Sequence, residues 1–117
     1  MAEYDQSGLR CKSVDWIWNG GDVTVVVPDG WMVALVILNV QTAFDGTGTV
    51  SVGYTAVPTA FITATAALGY YRSNELAGSK SEGYKMGASE DVLIDIFPGT
   101  ASAGAGEVYV LLAPIVA

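Results

Sequence analysis

Residues 31–40 read Trp-Met-Val-Ala-Leu-Val-Ile-Leu-Asn-Val, and they are the most informative segment of the sequence about its architecture. Side chains alternate between the two faces of a strand, and both alternating sets are apolar over residues 31–38. A strand with one face in water alternates apolar with polar residues instead. The stretch therefore predicts a strand covered on both faces, either by another subunit on the outer side of a sandwich or by another element of the same chain.

Turn sequences bound this strand on both sides. Pro28-Asp29-Gly30 precedes it, where proline presets a turn and glycine accepts the left-handed conformation that follows. Asp45-Gly46-Thr47-Gly48 follows it, and Asn19-Gly20-Gly21-Asp22 marks an earlier hairpin turn. Between the turns lie short runs rich in Val, Ile, Thr and aromatic residues. The pattern predicts an all-β fold, a compact antiparallel β-sandwich of about seven short strands that is either a jelly roll or immunoglobulin-like.

Further strands are predicted on either side of this centre. Their expected ranges are 14–18, 22–27, 49–53, 90–97 and 107–112. Val57-Pro58-Thr59 interrupts the pattern, and residues 60–68 fit either a helical turn or a strand. Residues 69–87 are rich in Ser, Gly and charged side chains, which predicts a long surface loop with one short strand near residues 84–86.

The amino-terminal residues differ from the rest of the chain. Residues 1–13 are polar, mixed in charge and without periodicity, so we expect an extended arm that becomes ordered on a partner. The β-sandwich domain is then expected to span residues 14–117.

Composition excludes most catalytic chemistry. The 117 residues include no histidine and one cysteine, Cys11, which leaves no imidazole base, no histidine metal ligand and no internal disulfide. Asp91 and Asp95 share a strand face, but they lack the calcium-loop pattern and favour a solvated acidic face. We therefore expect a protein that is not an enzyme and that uses no cofactor and no metal.

Net charge and hydropathy limit the classes of partner that the protein can bind. Twelve acidic residues against five basic residues give a net charge of −7, which repels nucleic acid. The amino terminus lacks a signal-peptide pattern, and the longest apolar run, residues 31–38, is too short for a membrane-spanning helix. We expect neither nucleic acid nor a membrane as a partner.

Self-association is expected instead. The chain has 17 acidic or basic residues, and four of them lie in the predicted arm, so little charge remains to cover a small apolar domain. A homo-oligomer would cover the outer side of the central strand. The predicted oligomer interface consists of Trp31, Val33, Leu35 and Ile37.

Aromatic side chains offer another kind of contact. Several of them could form a flat surface on which a sugar ring stacks: Trp16, Trp18, Trp31, Tyr70, Tyr71 and Tyr84. The three tryptophans are better explained as sandwich core or subunit interface. Tyr70 and Tyr71 fall in the predicted surface loop and are the candidates for an exposed contact.

Residues 36–46, Val-Ile-Leu-Asn-Val-Gln-Thr-Ala-Phe-Asp-Gly, continue into Thr-Val-Ser-Val-Gly at 49–53. This segment resembles small virion structural proteins of tailed bacteriophages, most of all the capsid decoration (cement) proteins. The resemblance is strongest over residues 22–53 and weaker over 90–113. In that family an Asp-Pro-Asp-like turn follows, where this chain has Val57-Pro58-Thr59, so no role of those acids transfers.

The resemblance implies a function as well as a fold. Proteins of this kind are β-sandwiches, often trimeric, that bind the outside of an icosahedral shell and stabilise it. It implies a homotrimer on the capsid surface of the virion, made in the host bacterial cytoplasm, with the major capsid protein as its partner. We expect the arm to contact the capsid through Tyr4, Leu9, Arg10 and Lys12. Two alternatives remain: another virion component, such as a tail, fibre or head-tail protein, and a carbohydrate-binding β-sandwich module.

Overall fold

The computed structural model describes residues 9–28, 30–73 and 91–114, and this part of the chain contains eight β-strands. The strands are β1 (Arg10–Ile17), β2 (Val23–Val25), β3 (Trp31–Thr42), β4 (Thr49–Tyr54), β5 (Val57–Thr65), β6 (Gly69–Arg72), β7 (Val92–Phe97) and β8 (Ala105–Pro114). The predicted all-β fold is confirmed, with one strand more than expected.

The strands form two four-stranded antiparallel sheets. One sheet has the order β1-β8-β3-β6 and the other has the order β2-β7-β4-β5. The first strand thus pairs with the eighth, the second with the seventh, the third with the sixth and the fourth with the fifth. The pairing is therefore nested, from the first and last described strands inward to β4 and β5. The predicted antiparallel β-sandwich is confirmed.

The core lies between the two sheets. Its large, fully buried side chains come from both inner faces: Val33, Val36, Leu38, Val40, Val50, Val52, Phe61, Ile62, Val92, Ile94, Val108 and Leu112. The rings of Trp16 and Phe44 stack with their centroids 5.5 Å apart. Trp16 is therefore a core residue, as the tryptophan pattern led us to expect.

The two ends of the sandwich differ. The turns that join β1 to β2, β3 to β4, β5 to β6 and β7 to β8 lie at one end, which we call the turn end. The described chain enters at Leu9, resumes at Asp91 and ends at Pro114 at the opposite end, which we call the terminal end.

A β-bulge in β3 divides its two faces differently from the prediction. The register against β8 shifts between Val33 and Leu35, so one extra residue enters β3 there. Val33 consequently points inward and is fully buried beside Val36, while Leu35 and Ile37 point outward. The prediction that Val33 belongs to an oligomer interface is wrong, because the bulge breaks the simple alternation on which it was based.

The strand β1 begins earlier than predicted. Residues 10–13 pair with β8 and belong to the sheet, not to an extended arm. The Arg10 guanidinium lies 4.6 Å from the centre of the Trp31 ring, a cation–π contact. The Lys12 ammonium donates a hydrogen bond to the carbonyl of Val26, with an Nζ to oxygen distance of 2.7 Å. Arg10 and Lys12 therefore lie on the inner side of the sheet, where the aliphatic part of each side chain covers apolar surface and the charged group has a partner at the border of the core.

The stretch that fitted either a helical turn or a strand is β5. Its register against β4 shifts twice, and the consecutive side chains of Ala60, Phe61 and Ile62 are all buried. Irregular pairing removes the alternating pattern by which a strand is recognised in a sequence. Pro58 is accommodated because β5 is an edge strand of its sheet. The predicted surface loop begins instead with β6, and the predicted short strand at 84–86 lies outside the described residues.

The loop between β3 and β4 and the loop between β7 and β8 are joined by hydrogen bonds at the turn end. The backbone N–H of Thr47 donates to Oγ1 of Thr100, and the backbone N–H of Thr100 donates to Oγ1 of Thr47, each over 3.0 Å. Gly46 and Gly99 have positive φ angles of 59° and 50°, and a Cβ on either would strike the threonine of the other loop. Only glycine meets both requirements at these two positions.

The Asp45 carboxylate secures the same loops. It accepts hydrogen bonds from the hydroxyl and the backbone N–H of Ser102 and from the backbone N–H of Ala103. The hydrogen bonds from Ser102, first from its side chain and then from its backbone, lower the pKa of Asp45. The Phe44-Asp45-Gly46 segment, which carries part of the family resemblance, is thus a structural element of the turn end.

Candidate functional site

The sheet β1-β8-β3-β6 has a side that points away from the core, which we call the outer face. Directly paired residues share a face of a sheet, and the register places Leu35 beside Leu111 and Met32 beside Ala113 on this side. Together with Ile37, these side chains form an apolar patch in the half of the outer face near the terminal end. All five are partly exposed, and no other described strand packs on them.

The predicted oligomer interface is only partly brought together. Leu35 and Ile37 lie in the apolar patch. Val33 lies in the core, and Trp31 packs at the edge of that core beneath Arg10. Sequence reasoning missed Leu111, whose place opposite Leu35 depends on the pairing of β3 with β8 rather than on any local pattern.

Toward the turn end the outer face becomes polar. A continuous row of paired residues crosses all four strands of the sheet. With two neighbours it forms what we call the polar band: Asp15, Asn39, Gln41, Tyr70, Glu107 and Tyr109. Neighbouring strands are separated by 4.7–4.9 Å, so the row extends about 14 Å across the sheet.

Glu107 is the centre of the polar band. Its Oε1 accepts a hydrogen bond of 2.7 Å from the hydroxyl of Tyr109 and one of 3.5 Å from the amide of Gln41. The hydrogen bond to Glu107 raises the pKa of Tyr109, because it stabilises the protonated hydroxyl. Tyr109 is therefore held as a donor, and Glu107 is fixed in position by two partners.

The two tyrosines predicted as an exposed contact point in opposite directions. Tyr70 lies on the outer face opposite Asn39, and its side chain is 70% exposed. Tyr71 points inward, packs against the core and donates a hydrogen bond of 2.8 Å to the carbonyl of Ala67. Both residues belong to the strand β6, where alternation separates them. Of the two, Tyr70 is the more exposed, whereas Tyr71 is half-buried and its hydroxyl already has a partner.

A cleft opens beside the polar band at the turn end. Its volume is about 570 Å³, within the range of ligand-binding clefts. Three of its lining residues, Asp15, Gln41 and Glu107, also belong to the polar band. Its other walls include the hairpin turn after β1 and the start of β8. The indole nitrogen of Trp16, another lining residue, is buried without a hydrogen-bond partner in the described part of the chain.

The acidic residues singled out in the sequence, Asp91 and Asp95, lie just before and within β7 of the opposite sheet, away from the polar band. Asp91 accepts a hydrogen bond of 3.0 Å from the backbone N–H of Val27. Asp95 lies beside Asp22, whose carboxylate accepts a hydrogen bond from the backbone N–H of Ile96. Burial and then the neighbouring charge and hydrogen bond of Asp22 raise the pKa of Asp95. Within residues 9–28, 30–73 and 91–114, no group of three or more acidic or cysteine side chains is arranged to hold a metal ion.

We expect Asp95→Asn to raise the free energy of unfolding at pH 7 by roughly 0.2–1 kcal/mol, the range for relieving a pair of like charges on adjacent strands. In the unsubstituted protein the folded state binds a proton at Asp95 before the unfolded state does, because the folded pKa is raised. Its stability therefore increases as the pH falls from neutral through that raised pKa toward the ordinary value of 3.8. Urea unfolding of both proteins measures this between pH 7 and the ordinary carboxyl pKa. The difference between their free energies of unfolding should become smaller as the pH falls.

Asp45→Asn serves as a control because the pKa of Asp45 is shifted in the opposite direction from that of Asp95. The folded pKa of Asp45 is lowered, so its carboxylate contributes stability above the ordinary carboxyl pKa that is lost in acid. This substitution should destabilise the protein at neutral pH, and the difference should vanish as the pH falls. Identical pH dependence in Asp95→Asn and the unsubstituted protein would contradict the assignment of the raised pKa.

Charge is distributed unevenly along the sandwich. Five carboxylates lie in the half nearer the turn end: Asp15, Asp22, Asp45, Asp95 and Glu107. In the described ranges, the basic residues are Arg10, Lys12 and Arg72, none of which lies at the turn end. The turn end is therefore acidic, and the polar band and the cleft lie within its field.

The fold has a counterpart among solved structures. The chain is similar to one in the capsid asymmetric unit of cyanophage Pam1, with a TM-score of 0.59 and 19% sequence identity. The match covers 92% of this chain and 85% of the cyanophage chain. No family model matches the sequence, and no curated protein matches it either. At this identity the similarity establishes a shared fold.

The described part of the chain contains no helix that is long and apolar enough to cross a membrane.

Proposed function

We propose that this protein is a non-enzymatic structural component of a tailed-bacteriophage virion that binds the outer capsid surface as a decoration (cement) protein. The observation that carries the proposal is the shared fold with a chain of a cyanophage capsid over nearly the full length of both. The resemblance of residues 22–53 to phage decoration proteins supports the same role independently. Such a protein needs no reacting group, because binding across the joints between capsid subunits is itself what stabilises a shell.

We further propose that the protein acts as a homo-oligomer, with a trimer as the expected form. The apolar patch on the outer face supports this, because paired leucines and a neighbouring isoleucine form a continuous surface that no described strand covers. The proposed interface consists of Leu35 and Ile37, which the sequence already suggested, together with Leu111. An oligomer multiplies weak contacts to a repeating shell into strong binding.

The terminal end is the proposed capsid-facing end. The described chain begins there at Leu9, whose side chain is 52% exposed, and Tyr4 precedes it outside the described residues. The basic side chains of Arg10 and Lys12 are nearest this end, although both have partners within the sheet. With the acidic turn end directed away from the shell, residues 1–9 are the segment available to contact the major capsid protein.

A binding experiment tests the proposal. The purified protein is added to heads assembled from the major capsid protein of the same phage. We expect saturable binding, seen by cosedimentation, and density on the shell surface by cryo-electron microscopy. Deletion of residues 1–9 should abolish binding while leaving the circular dichroism spectrum unchanged. Density at the tail or at the head-tail junction would overturn the decoration role and support another virion role, and absence from the whole particle would overturn both.

A further inference from the structure

The polar band contains two carboxylates side by side, an arrangement that does not stabilise the fold. Asp15 and Glu107 are direct cross-strand partners, and like charges in that position destabilise a sheet. Glu107 receives hydrogen bonds from Tyr109 and Gln41 through one of its oxygens. Among the described residues, no donor satisfies the carboxylate of Asp15. Glu107 thus presents an acceptor held in position by its partners, and Asp15 presents an exposed carboxylate beside it.

An aromatic ring completes the surface. Tyr70 lies at the other end of the same row of residues and exposes 70% of its side chain. An exposed tyrosine ring offers a flat apolar face with a polar tip. Asn39, which lies between Tyr70 and Glu107 in the row, is buried, so the partly exposed polar groups next to the ring are the Glu107 carboxylate and the Tyr109 hydroxyl bound to it.

We propose that the polar band and the adjoining cleft form a binding site for a neutral carbohydrate chain. A pyranose ring carries both an apolar C–H face, which packs on an aromatic ring, and hydroxyl groups, which donate to carboxylates and amides. Tyr70 stacks against one sugar ring, and Asp15 and Glu107 accept hydroxyl hydrogen bonds from the next part of the chain in the cleft. Hydroxyl donors placed between the two carboxylates also reduce their mutual repulsion.

The charge of the site restricts the class of carbohydrate. The turn end carries five carboxylates, and the nearest described basic residue is Arg72, two residues beyond Tyr70 on the outer face of β6, so carboxylates outnumber basic side chains around the site. A uronate, sialate or phosphate-bearing chain would be repelled by this field. An apolar ligand would bury the Asp15 carboxylate, which no described donor satisfies, and this costs binding energy. Neutral, hydroxyl-rich chains avoid both costs.

The inference is independent of the proposed role on the capsid, since it concerns a different surface. The apolar patch and the terminal end serve self-association and shell contact, whereas the polar band lies toward the turn end. On a shell-bound protomer oriented as proposed, this end faces outward. A carbohydrate site there has access to glycans in the surroundings of the particle.

An array of neutral and acidic bacterial and plant glycans, probed with the purified labelled protein, tests this inference. We expect binding confined to neutral glycans. For the best of them, Tyr70→Ala should weaken binding roughly two- to tenfold, as expected for loss of one aromatic contact. Glu107→Gln should also weaken binding, because an amide accepts fewer hydrogen bonds from hydroxyl groups than a carboxylate does.

Two matched variants separate the site from general effects. Phe97→Ala removes another exposed aromatic ring, on the opposite sheet, and Asp95→Asn removes another carboxylate. Both should bind the selected glycan as the unsubstituted protein does. Failure to bind any neutral glycan, preference for acidic glycans, or unchanged binding by Tyr70→Ala would each overturn the proposal. Binding to empty heads can succeed or fail without affecting this result.

Discussion

Leu35→Asp is expected to convert the oligomer into a monomer. Leu35 lies opposite Leu111 in the apolar patch, so a second copy that packs there would bury the new carboxylate without a partner. Burying an unpaired charge costs several kcal/mol, which weakens self-association on the order of 100-fold or more. Sedimentation velocity over a range of micromolar concentrations measures the change, and the unsubstituted protein should sediment as an oligomer throughout.

Phe97→Asp provides the matched control for this substitution. Phe97 is 58% exposed on the outer side of the other sheet, so the same charge enters a surface that we do not assign to self-association. This variant should sediment like the unsubstituted protein. If the unsubstituted protein is monomeric at these concentrations, or if Leu35→Asp remains an oligomer, the apolar patch is not the subunit interface.

Phe61→Ala is expected to cause a large loss of stability. Phe61 is fully buried in β5, and its ring packs edge-to-face against Tyr54 with 6.4 Å between centroids. Truncating a buried phenylalanine costs about 3–5 kcal/mol, a large share of the roughly 5–15 kcal/mol that stabilises a domain. Equilibrium urea unfolding should show a midpoint lowered by about 2 M, given typical denaturant slopes.

The same chemical change at Phe97 serves as the comparison. Phe97→Ala removes an equally large side chain from an exposed position, so the free energy of unfolding should change by at most about 0.5 kcal/mol. Equal effects at the two positions would mean that β5 does not form part of the core. Because β5 is the strand that the sequence left undecided, this comparison tests the least expected part of the fold.

The fold class could be predicted from local patterns, because turn residues and β-rich runs act over short distances. Residues 31–40 indicated a strand with two apolar faces, and the structure has the strand β3 there, with core on one side and the apolar patch on the other. The faces themselves could not be assigned, since the bulge after Val33 depends on the register with β8. For the same reason β5, with two register shifts against β4, has no readable period.

The candidate site was less predictable than the fold. Tyr70 was identified as an exposed contact, but Asp15, Gln41 and Glu107 were not grouped with it, because they come from strands far apart in the sequence. One signal was present. In β8, Glu107 and Tyr109 alternate with buried valines, which marks them as neighbours on an outward face.

The position of β8 has a consequence for how the chain folds during synthesis. This strand is the last in the described sequence, yet it lies between β1 and β3 and pairs with both. Until residues 105–114 leave the ribosome, the two flanking strands have no partner between them, and their backbone groups and apolar side chains remain open to wrong pairings. This sheet can therefore be completed only after β8 is available, and we expect its formation to be slow, as is general for topologies dominated by distant pairings.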